Sequence, residues 1–499
     1  MSLLKKLAGE TAIYGISSIL GRVLNFVILT PYLTRQFTAI EYGVFTDLYS
    51  WVALLMVLFT YRMETTFFRY GRKREDLERA FSTASLSLLG TTLLLLLLLL
   101  SNAQGLAAWL QYPDHPEYVR WLALVLAFDT LCAIPFARLR LLNRPLVFAG
   151  LKVFSIVVNI VFIFFFLELI PYLSAWQVPL ADWMYVEEYQ LSYVFLSNLL
   201  ASLSVFVLVL PAYTQVRLHF DQALWQRMLR YAGPLVVAGA AGVINQLIGN
   251  PMLKRFASDD LAFNLAQVGL YGAAAKIAIL MNLFIQAFNY AAEPFFFRNA
   301  DQSDSRQIYA QVAQAFTLVA CLAFLGITLY MDIVVYLLGA ELRAGIGVVP
   351  ILLLAYLFLG LFYNFSIWYK LKDRTRVGAE IALMGAGITI LFNVILIPTV
   401  GIYGPAWAAL LCYGFMAGAT YWRGRMVYPV DYPFRKMGLY LMVALSGYFL
   451  SGVLQNIMDL SGGSKLILNT FVLVACGLAY YRMEKPMILA YVPWLRRFQ

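Results

Sequence analysis

The sequence predicts an all-α polytopic membrane protein of about 14 transmembrane helices, built from two homologous halves and one further helix pair. Three observations predict this. First, the 499 residues are 62% hydrophobic and only 13% charged, a balance that suits lipid rather than a soluble core. Second, apolar runs of about 20 residues recur between polar or Gly/Pro punctuation, the length a helix needs to cross a bilayer. Third, the stretch Gly15 to Arg69 recurs. A shift of 229 sets Ile40-Glu41-Tyr42-Gly43 on Gly269-Leu270-Tyr271-Gly272, Asp47 on Lys276, Glu64 on Glu293, and Phe67-Phe68-Arg69 on Phe296-Phe297-Arg298. A shift of 220 sets Asn25 on Asn245, Pro31 on Pro251, Leu33 on Leu253 and Arg35 on Arg255, so the second copy has a longer connecting loop. Duplicated membrane halves that put polar groups at equivalent depths are a common transporter build.

In chain order the spans are expected at 11–34, 41–68, 80–101, 118–138, 146–170, 189–211, 230–253, 267–297, 308–330, 346–369, 376–397, 404–421, 437–457 and 464–482. All are expected to be helical, because lipid satisfies no backbone polar group and runs such as Leu93–Leu100 lack the alternation of barrel strands. Nothing after Glu10 reads as a cleavage site, so the first span is expected to be retained. Basic residues cluster in alternate loops: Arg69/Arg72/Lys73/Arg74/Arg79, Arg138/Arg140/Arg144, Lys370/Lys372/Arg374/Arg376 and Arg423/Arg425/Arg435/Lys436. The loop 171–188, by contrast, carries Asp182, Glu187 and Glu188 and no base. The positive-inside pattern therefore puts both termini in the cytoplasm and accounts for the net charge of +10 without nucleic acid. Residues 217–229 read as an amphipathic helix along the cytoplasmic interface, or as a plain re-entry linker. The resulting division is 1–215, a connector at 216–229, 230–425 and 426–499.

Charges and amides inside spans are the functional candidates, since each is costly at the bilayer centre unless it is paired or hydrated. Ser18, Arg22 and Asn25 share a face of span one with Leu29, at i, i+4, i+7 and i+11. Asn282, Gln286, Asn289 and Glu293 repeat that spacing in span eight, where the alternatives are a polar wall or interhelical amide packing. Asn245 and Gln246 add amides to span seven. Arg62 and Lys276 either face the substrate or snorkel to the nearer interface. Glu64 and Glu293, repeat-equivalent carboxylates, are candidates for holding a coupling proton or sodium ion, with partnership to nearby arginines as the alternative. Asp47 and Lys276, equivalent positions of opposite charge, are candidates for an outer gate. Pro31 and Pro251 mark places where the outer ends of spans one and seven can bend.

No Ser/His/Asp set, Walker loop, metal-ligand spacing or soluble domain is expected, so neither a catalytic site nor a metal or other cofactor is called. The four cysteines lie in separate apolar runs and suggest neither disulfide nor zinc. A membrane polymerase, ligase or glycosyl transferase is the competing class. It would be expected to carry a sizeable outer loop with catalytic acids, which the spacing of the spans does not leave room for.

Gly21-Arg22-Val23-Leu24-Asn25-Phe26, Thr30-Pro31-Tyr32-Leu33-Thr34-Arg35 and Glu41-Tyr42-Gly43-Val44-Phe45 resemble the amino-terminal signature of polysaccharide flippases in the multidrug/oligosaccharidyl-lipid/polysaccharide (MOP) exporter superfamily. Asn393-Val394-Ile395-Leu396-Ile397-Pro398, Gly401-Ile402-Tyr403-Gly404 and Ala406-Trp407-Ala408-Ala409 resemble its later signature. The resemblance implies two pseudo-symmetric six-helix lobes, a cationic cavity lined by helices one, two, seven and eight, and an extra C-terminal pair as in the fourteen-helix branch. It also implies a monomer in the bacterial inner membrane that flips undecaprenyl-diphosphate-linked oligosaccharide by alternating access. Its partners would be membrane lipids and the polymerase and glycosyltransferases of the same polysaccharide. Lipid II flippases and multidrug exporters are the relatives to weigh against this. The first helix and Glu41-Tyr42-Gly43 depart from the lipid II flippases and favour O-antigen, capsule or exopolysaccharide units. On that reading Arg22, Arg62 and Lys276 would meet the diphosphate, while Asn25, Asn245, Gln246, Asn282, Gln286 and Asn289 would meet the sugar.

Overall fold

A computed structural model describes residues 23–73, 75–214, 219–300, 302, 304–372 and 374–491, and among these every regular element is helical. A π-helical turn, Asn25–Leu29, leads into α1 (Thr30–Gln36). It is followed by α2 (Ala39–Thr60), α3 (Met63–Tyr70), α4 (Leu77–Ser101), α5 (Pro116–Leu141), α6 (Pro145–Phe164), α7 (Gln190–Val209), α8 (Gln222–Leu247) and α9 (Gly249–Phe256). Next come α10 (Leu261–Arg298), α11 (Ser305–Leu329), α12 (Val349–Phe365), α13 (Thr375–Val400), α14 (Tyr403–Val427), α15 (Phe434–Ile457) and α16 (Gly463–Tyr491). Twelve helical stretches among the described residues are long and apolar enough to cross a membrane. They coincide with twelve of the spans expected above. The first half of the expected first span, 11–22, lies outside the described residues, and the expected twelfth is α14, a 25-residue helix whose sequence is punctuated by Tyr, Trp, Gly and Arg.

Two compact units form: Met1–Arg255 with Asp260–Gly269, and Phe256–Asp259 with Leu270–Gln499. The repeat divides the chain by ancestry, whereas these units follow packing. Accordingly α8 and α9, which open the second repeat, belong to the first unit, where α8 lies on α2, α3 and α4. Gln222–Leu229, the expected connector's described helical part, forms the first two turns of α8. Asp221 caps that helix through Oδ1, which accepts the Leu224 N–H at 2.8 Å, and it also pairs with Arg79. The Leu224 amide bond and the Arg79 guanidinium hold the Asp221 carboxyl below its ordinary range.

The local rules behind the signature Glu41-Tyr42-Gly43 are now visible. Thr38 and Glu41 form a reciprocal capping box at the start of α2, with Thr38 N–H to Glu41 Oε2 at 2.9 Å and Glu41 N–H to Thr38 Oγ1 at 3.3 Å. Tyr42 is wholly buried. Gly43 lets α2 touch the first turns of α10: a Cβ there would sit 1.9 Å from Leu265 O, and one on Gly269 would sit 2.0 Å from Ala39 O. With no hydrophobic drive between helices in lipid, such backbone-to-backbone contact is a main source of association.

Pro31 and Pro251 both fall where regular α-helix is interrupted, Pro31 just after the π turn and Pro251 just after the break at Ile248. A second π turn, Phe165–Leu169, interrupts the helix that begins as α6. It is tied to the first span's end by Tyr32 OH donating to Glu168 Oε1 at 2.6 Å. In the second unit the C-terminal pair α15 and α16 packs on α11 through polar contacts. Tyr440 OH donates to Glu484 Oε1 at 2.6 Å, Gln314 Nε2 donates to Tyr440 OH at 2.8 Å, and Lys436 pairs with Glu484 at 2.8 Å. Such bonds act as glue where burial gives no advantage over lipid.

Candidate functional site

The first unit encloses a cavity of about 640 Å³ walled by α2, α5, α6 and α7, with Arg62 and Glu64 at the α2–α3 junction and Val243 from α8. The cations at its wall are Arg62, Arg140 and Lys152, the acids Glu64 and Asp129, and the amides Asn159 and Asn198. Of the residues singled out from sequence, Arg62 and Glu64 are here. Asp129, Arg140, Lys152, Asn159 and Asn198 were missed as site residues.

Arg62 owes its position to backbone geometry. Tyr61 and Arg62 both have positive φ, 31° and 56°, breaking the span between α2 and α3. Two consecutive non-glycine residues in this region store strain, of order 1–3 kcal/mol each. The surroundings hold them there. Tyr61 OH bonds Ser87 Oγ at 2.6 Å, and Trp225 Nε1 donates to the same hydroxyl at 2.7 Å. Arg62 O accepts the Thr66 N–H at 3.2 Å and its hydroxyl at 3.1 Å. The guanidinium then lies over Gly239 of α8, where a Cβ would come within 2.5 Å of both Nε and Nη2. Gly239 is therefore the floor on which Arg62 rests.

The other cations are partnered by rings. Lys152 Nζ stands 4.3 Å from the Phe136 ring centre, and Arg140 Cζ stands 4.5 Å from that of Phe68. Asn198 Nδ2 donates to Tyr49 OH at 2.6 Å. Glu64 Oε2 and Asn159 Oδ1 are shielded acceptors with no hydrogen-bond partner among the described residues. A cavity lined by three cations, two carboxylates and two amides is suited to hold an anionic, hydroxyl-bearing ligand or a small cation with its water.

A second constellation surrounds Asp47, also in the first unit. Its Oδ2 accepts from Lys254 Nζ at 2.9 Å and from Tyr112 OH at 2.9 Å. Lys254 also donates to Leu110 O and stands 3.6 Å from the Tyr112 ring centre. Asn264 Nδ2 binds Lys254 O at 2.9 Å, and Asn250 Nδ2 donates to Ser50 Oγ at 2.8 Å one turn along. Burial, reinforced by the Asp47 carboxylate, holds the Tyr112 hydroxyl well above its ordinary pKa and keeps it a donor. Asp47 was paired with Lys276 from the repeat. Its carboxylate is instead engaged by Lys254, because equivalence by descent does not decide which helix α2 packs on, and in the first unit it packs on the segment that carries Lys254.

The remaining candidates are dispersed. Arg22 and Ser18 lie outside the described residues. Asn25 is exposed on the π turn, and Asn245 is buried while its neighbour Gln246 is exposed, as follows when adjacent helical residues point about 100° apart. In the second unit Lys276 is half-buried. The amide stripe of α10 is real in part: Gln286 Nε2 donates to Asn282 Oδ1 at 3.3 Å, Asn282 is buried, and Asn289 is half-buried. Glu293 ends the stripe in an exposed ion pair with Lys370 at 2.9 Å.

Comparison with known proteins places this geometry in context. Residues 7–300 match the family described as polysaccharide biosynthesis protein. The chain is 22% identical over 346 residues to Lsg locus protein 1 of Haemophilus influenzae, covering 67% of this chain and 78% of that one. In fold it is similar to the lipid II flippase MurJ in its inward closed conformation, with a TM-score of 0.71 at 12% identity over 94% of this chain and 98% of that one. It is also similar to an inward-facing multidrug MATE transporter of the MOP superfamily, with a TM-score of 0.59 at 14% identity over 83% and 94%. The MATE transporter DinF-BH gives a TM-score of 0.60 at 17% identity over 86% and 97%.

Proposed function

Because the chain belongs to the polysaccharide biosynthesis protein family of the MOP superfamily, we propose that it is a transporter that flips undecaprenyl-diphosphate-linked oligosaccharide from the inner to the outer leaflet of a bacterial cytoplasmic membrane. The observation that carries this reading is the cavity of the first unit, with Arg62, Arg140 and Lys152 on its wall beside Asn159 and Asn198. A diphosphate brings about two negative charges into a region where each costs several kcal/mol, and guanidinium and ammonium groups replace the lost hydration. Amides bind sugar hydroxyls without adding charge. By the family resemblance, Arg22 and Lys276 are further proposed to meet the diphosphate, and Asn25, Asn245, Gln246, Asn282, Gln286 and Asn289 the sugar.

Alternating access is driven by a proton or sodium gradient, with Glu64 as the favoured coupling group, because its Oε2 is shielded and unpartnered at the same cavity. Glu293, exposed and paired with Lys370, is the second choice. The substrate is an O-antigen, capsule or exopolysaccharide unit, and both termini are cytoplasmic. Lipid II is the second reading, favoured by the fold likeness to MurJ.

The test is genetic and chemical together. Deleting the gene should remove the surface polysaccharide and leave its lipid-linked unit accumulated on the inner leaflet, while lipid II turnover continues. Normal surface polysaccharide in the deletion strain would reject the proposal, and rescue of a strain depleted of its lipid II flippase would move the assignment to lipid II.

A further inference from the structure

The second unit holds a smaller cavity, of about 390 Å³, that none of the roles above uses. It is formed where α11 ends, α15 ends and α16 begins, from Thr328 to Asp332, Tyr448 to Asn456, and Asn469. With the orientation set by the basic loops, this is the extracytoplasmic end of all three helices. Its floor is a closed polar network. Ser451 Oγ donates to Asn469 Oδ1 at 2.5 Å, Gln455 Nε2 donates to Ser451 Oγ at 2.9 Å and to Asn469 Oδ1 at 2.8 Å, and Asn469 Nδ2 donates to Leu329 O at 2.6 Å.

That network uses the donors of Gln455 and Asn469. It leaves the Gln455 carbonyl oxygen, the Asn456 amide and the Asp332 carboxylate at the cavity without a side-chain hydrogen-bond or ion-pair partner among the described residues. Acceptors therefore outnumber donors. The lining contains one carboxylate and no Lys, Arg or His, so a phosphate or diphosphate would meet repulsion with nothing to offset it. Tyr448 and Phe449 supply apolar ring faces beside these acceptors. A ligand that donates several hydroxyl hydrogens and presents C–H faces to aromatic rings meets both requirements.

We propose that this cavity is a binding site for a neutral sugar residue on the extracytoplasmic side, distinct from the cationic cavity of the first unit. The inference rests on the proposed function for the source of that sugar, the glycan of the translocated lipid. The sugar's hydroxyls bond Asp332, Gln455 and Asn456, and a ring face lies on Tyr448 or Phe449. Gly452 lies on the lining, and a Cβ added there meets no neighbour within 4 Å, so a substitution can begin there without displacing a packed neighbour.

The experiment is saturation-transfer NMR on the full-length protein in lipid nanodiscs, with the methyl glycosides of glucose, galactose and N-acetylglucosamine as probes and with pyrophosphate and ethanolamine as comparators. At least one glycoside should receive saturation in the wild type. Its apparent Kd should rise at least roughly tenfold in Gly452→Phe and in the Asp332→Ala/Asn456→Ala double variant, with the thermal midpoint of the protein preserved. Absence of transfer to every glycoside overturns the site, as does transfer that both variants leave unchanged. Ethanolamine displacing the glycoside through Asp332 also overturns it, in favour of a lipid-headgroup pocket. Failure of the flipping reading alone would appear differently: the glycoside signal and its loss in the variants would persist in a protein that moves no lipid-linked oligosaccharide.

Discussion

Asp47 Oδ2 and Lys254 Nζ stand 2.9 Å apart with side chains 0% and 3% exposed, making this the most deeply buried ion pair among the described residues. Neither charge could remain there alone. The ammonium is met on three sides, by the carboxylate, by Leu110 O and by the Tyr112 ring, while Tyr112 OH supplies the carboxylate's second donor. Opening a gap between α2 and α9 would break the Asp47–Lys254 pair and the Ser50–Asn250 hydrogen bond together.

Removing either partner should therefore cost more than removing both. Asp47→Ala or Lys254→Ala is expected to destabilise the protein by about 3–5 kcal/mol, the cost of stranding a buried charge. Asp47→Asn with Lys254→Met should cost markedly less than the sum. Thermal unfolding of the purified variants in detergent, arranged as a double-mutant cycle, checks this. Additive losses would mean that the two charges do not depend on each other.

Gly239→Ala is expected to displace the Arg62 guanidinium and to impair export less than Arg62→Ala, because the guanidinium ends a flexible side chain that can shift. A methyl at Gly239 would overlap the guanidinium, whose Nε and Nη2 lie 2.5 Å from the Cβ position. Arg62→Ala should lower polysaccharide export by at least roughly tenfold, the loss of one charge-assisted contact, and Gly239→Ala by less. The double variant should be no worse than Arg62→Ala alone. Lysine at position 62 should rescue only in part, lacking the planar fork.

Coupling separates the two repeat-equivalent acids. Glu64→Gln should uncouple flipping from the ion gradient, because Glu64 lines the cavity and its Oε2 is buried without a hydrogen-bond partner among the described residues. Glu293→Gln should cost little stability, since exposed ion pairs such as Glu293–Lys370 contribute about 0–1 kcal/mol. Transport measured with and without an imposed gradient in vesicles distinguishes them, and full gradient dependence in Glu64→Gln would remove that residue from coupling.

Loss of the Asp221 side chain should fray the start of α8. Asp221→Ala is expected to lower the thermal midpoint as a lost helix cap, whereas Asp221→Asn should keep most of the cap and lose only the contact with Arg79. The depressed carboxyl makes the sign of the pH effect definite. The carboxylate's contribution is present above the ordinary carboxylate range and is lost as pH falls through its lowered value. Thermal midpoints of wild type and Asp221→Asn, compared across acid pH, should converge as the pH is lowered.

Twelve of the fourteen expected spans were legible in the sequence because lipid imposes a length and a polarity that composition reveals directly. The repeat was equally plain, and its signature residues turn out to have local reasons: Glu41 caps a helix, Tyr42 is buried, and Gly43 permits contact with the start of α10. The site was less legible. Lys152 lies close enough to a basic loop to be counted with it, and Asp129 lies in a span with no spacing pattern to mark it. Asn159 and Asn198 come from separate helices. Only packing brings α5, α6 and α7 round one cavity. Lys254 was overlooked for a related reason: it stands at a span's end beside Arg255, where a cation normally snorkels. The signal that marked Lys254 was the repeat itself, in which Thr34 becomes Lys254 under the shift of 220, a change from neutral to charged within an otherwise matching segment.

The central claim is tested most directly by reconstituting the purified protein in liposomes with a fluorescent undecaprenyl-diphosphate-linked oligosaccharide. The fraction that becomes accessible to a membrane-impermeant glycosidase is then followed over time. The account predicts fast, protein-dependent translocation beyond the half accessible at the start, dependent on an imposed ion gradient and reduced at least roughly tenfold by Arg62→Ala. Translocation no faster than in empty liposomes, or equally fast in the Arg62→Ala protein, would contradict it.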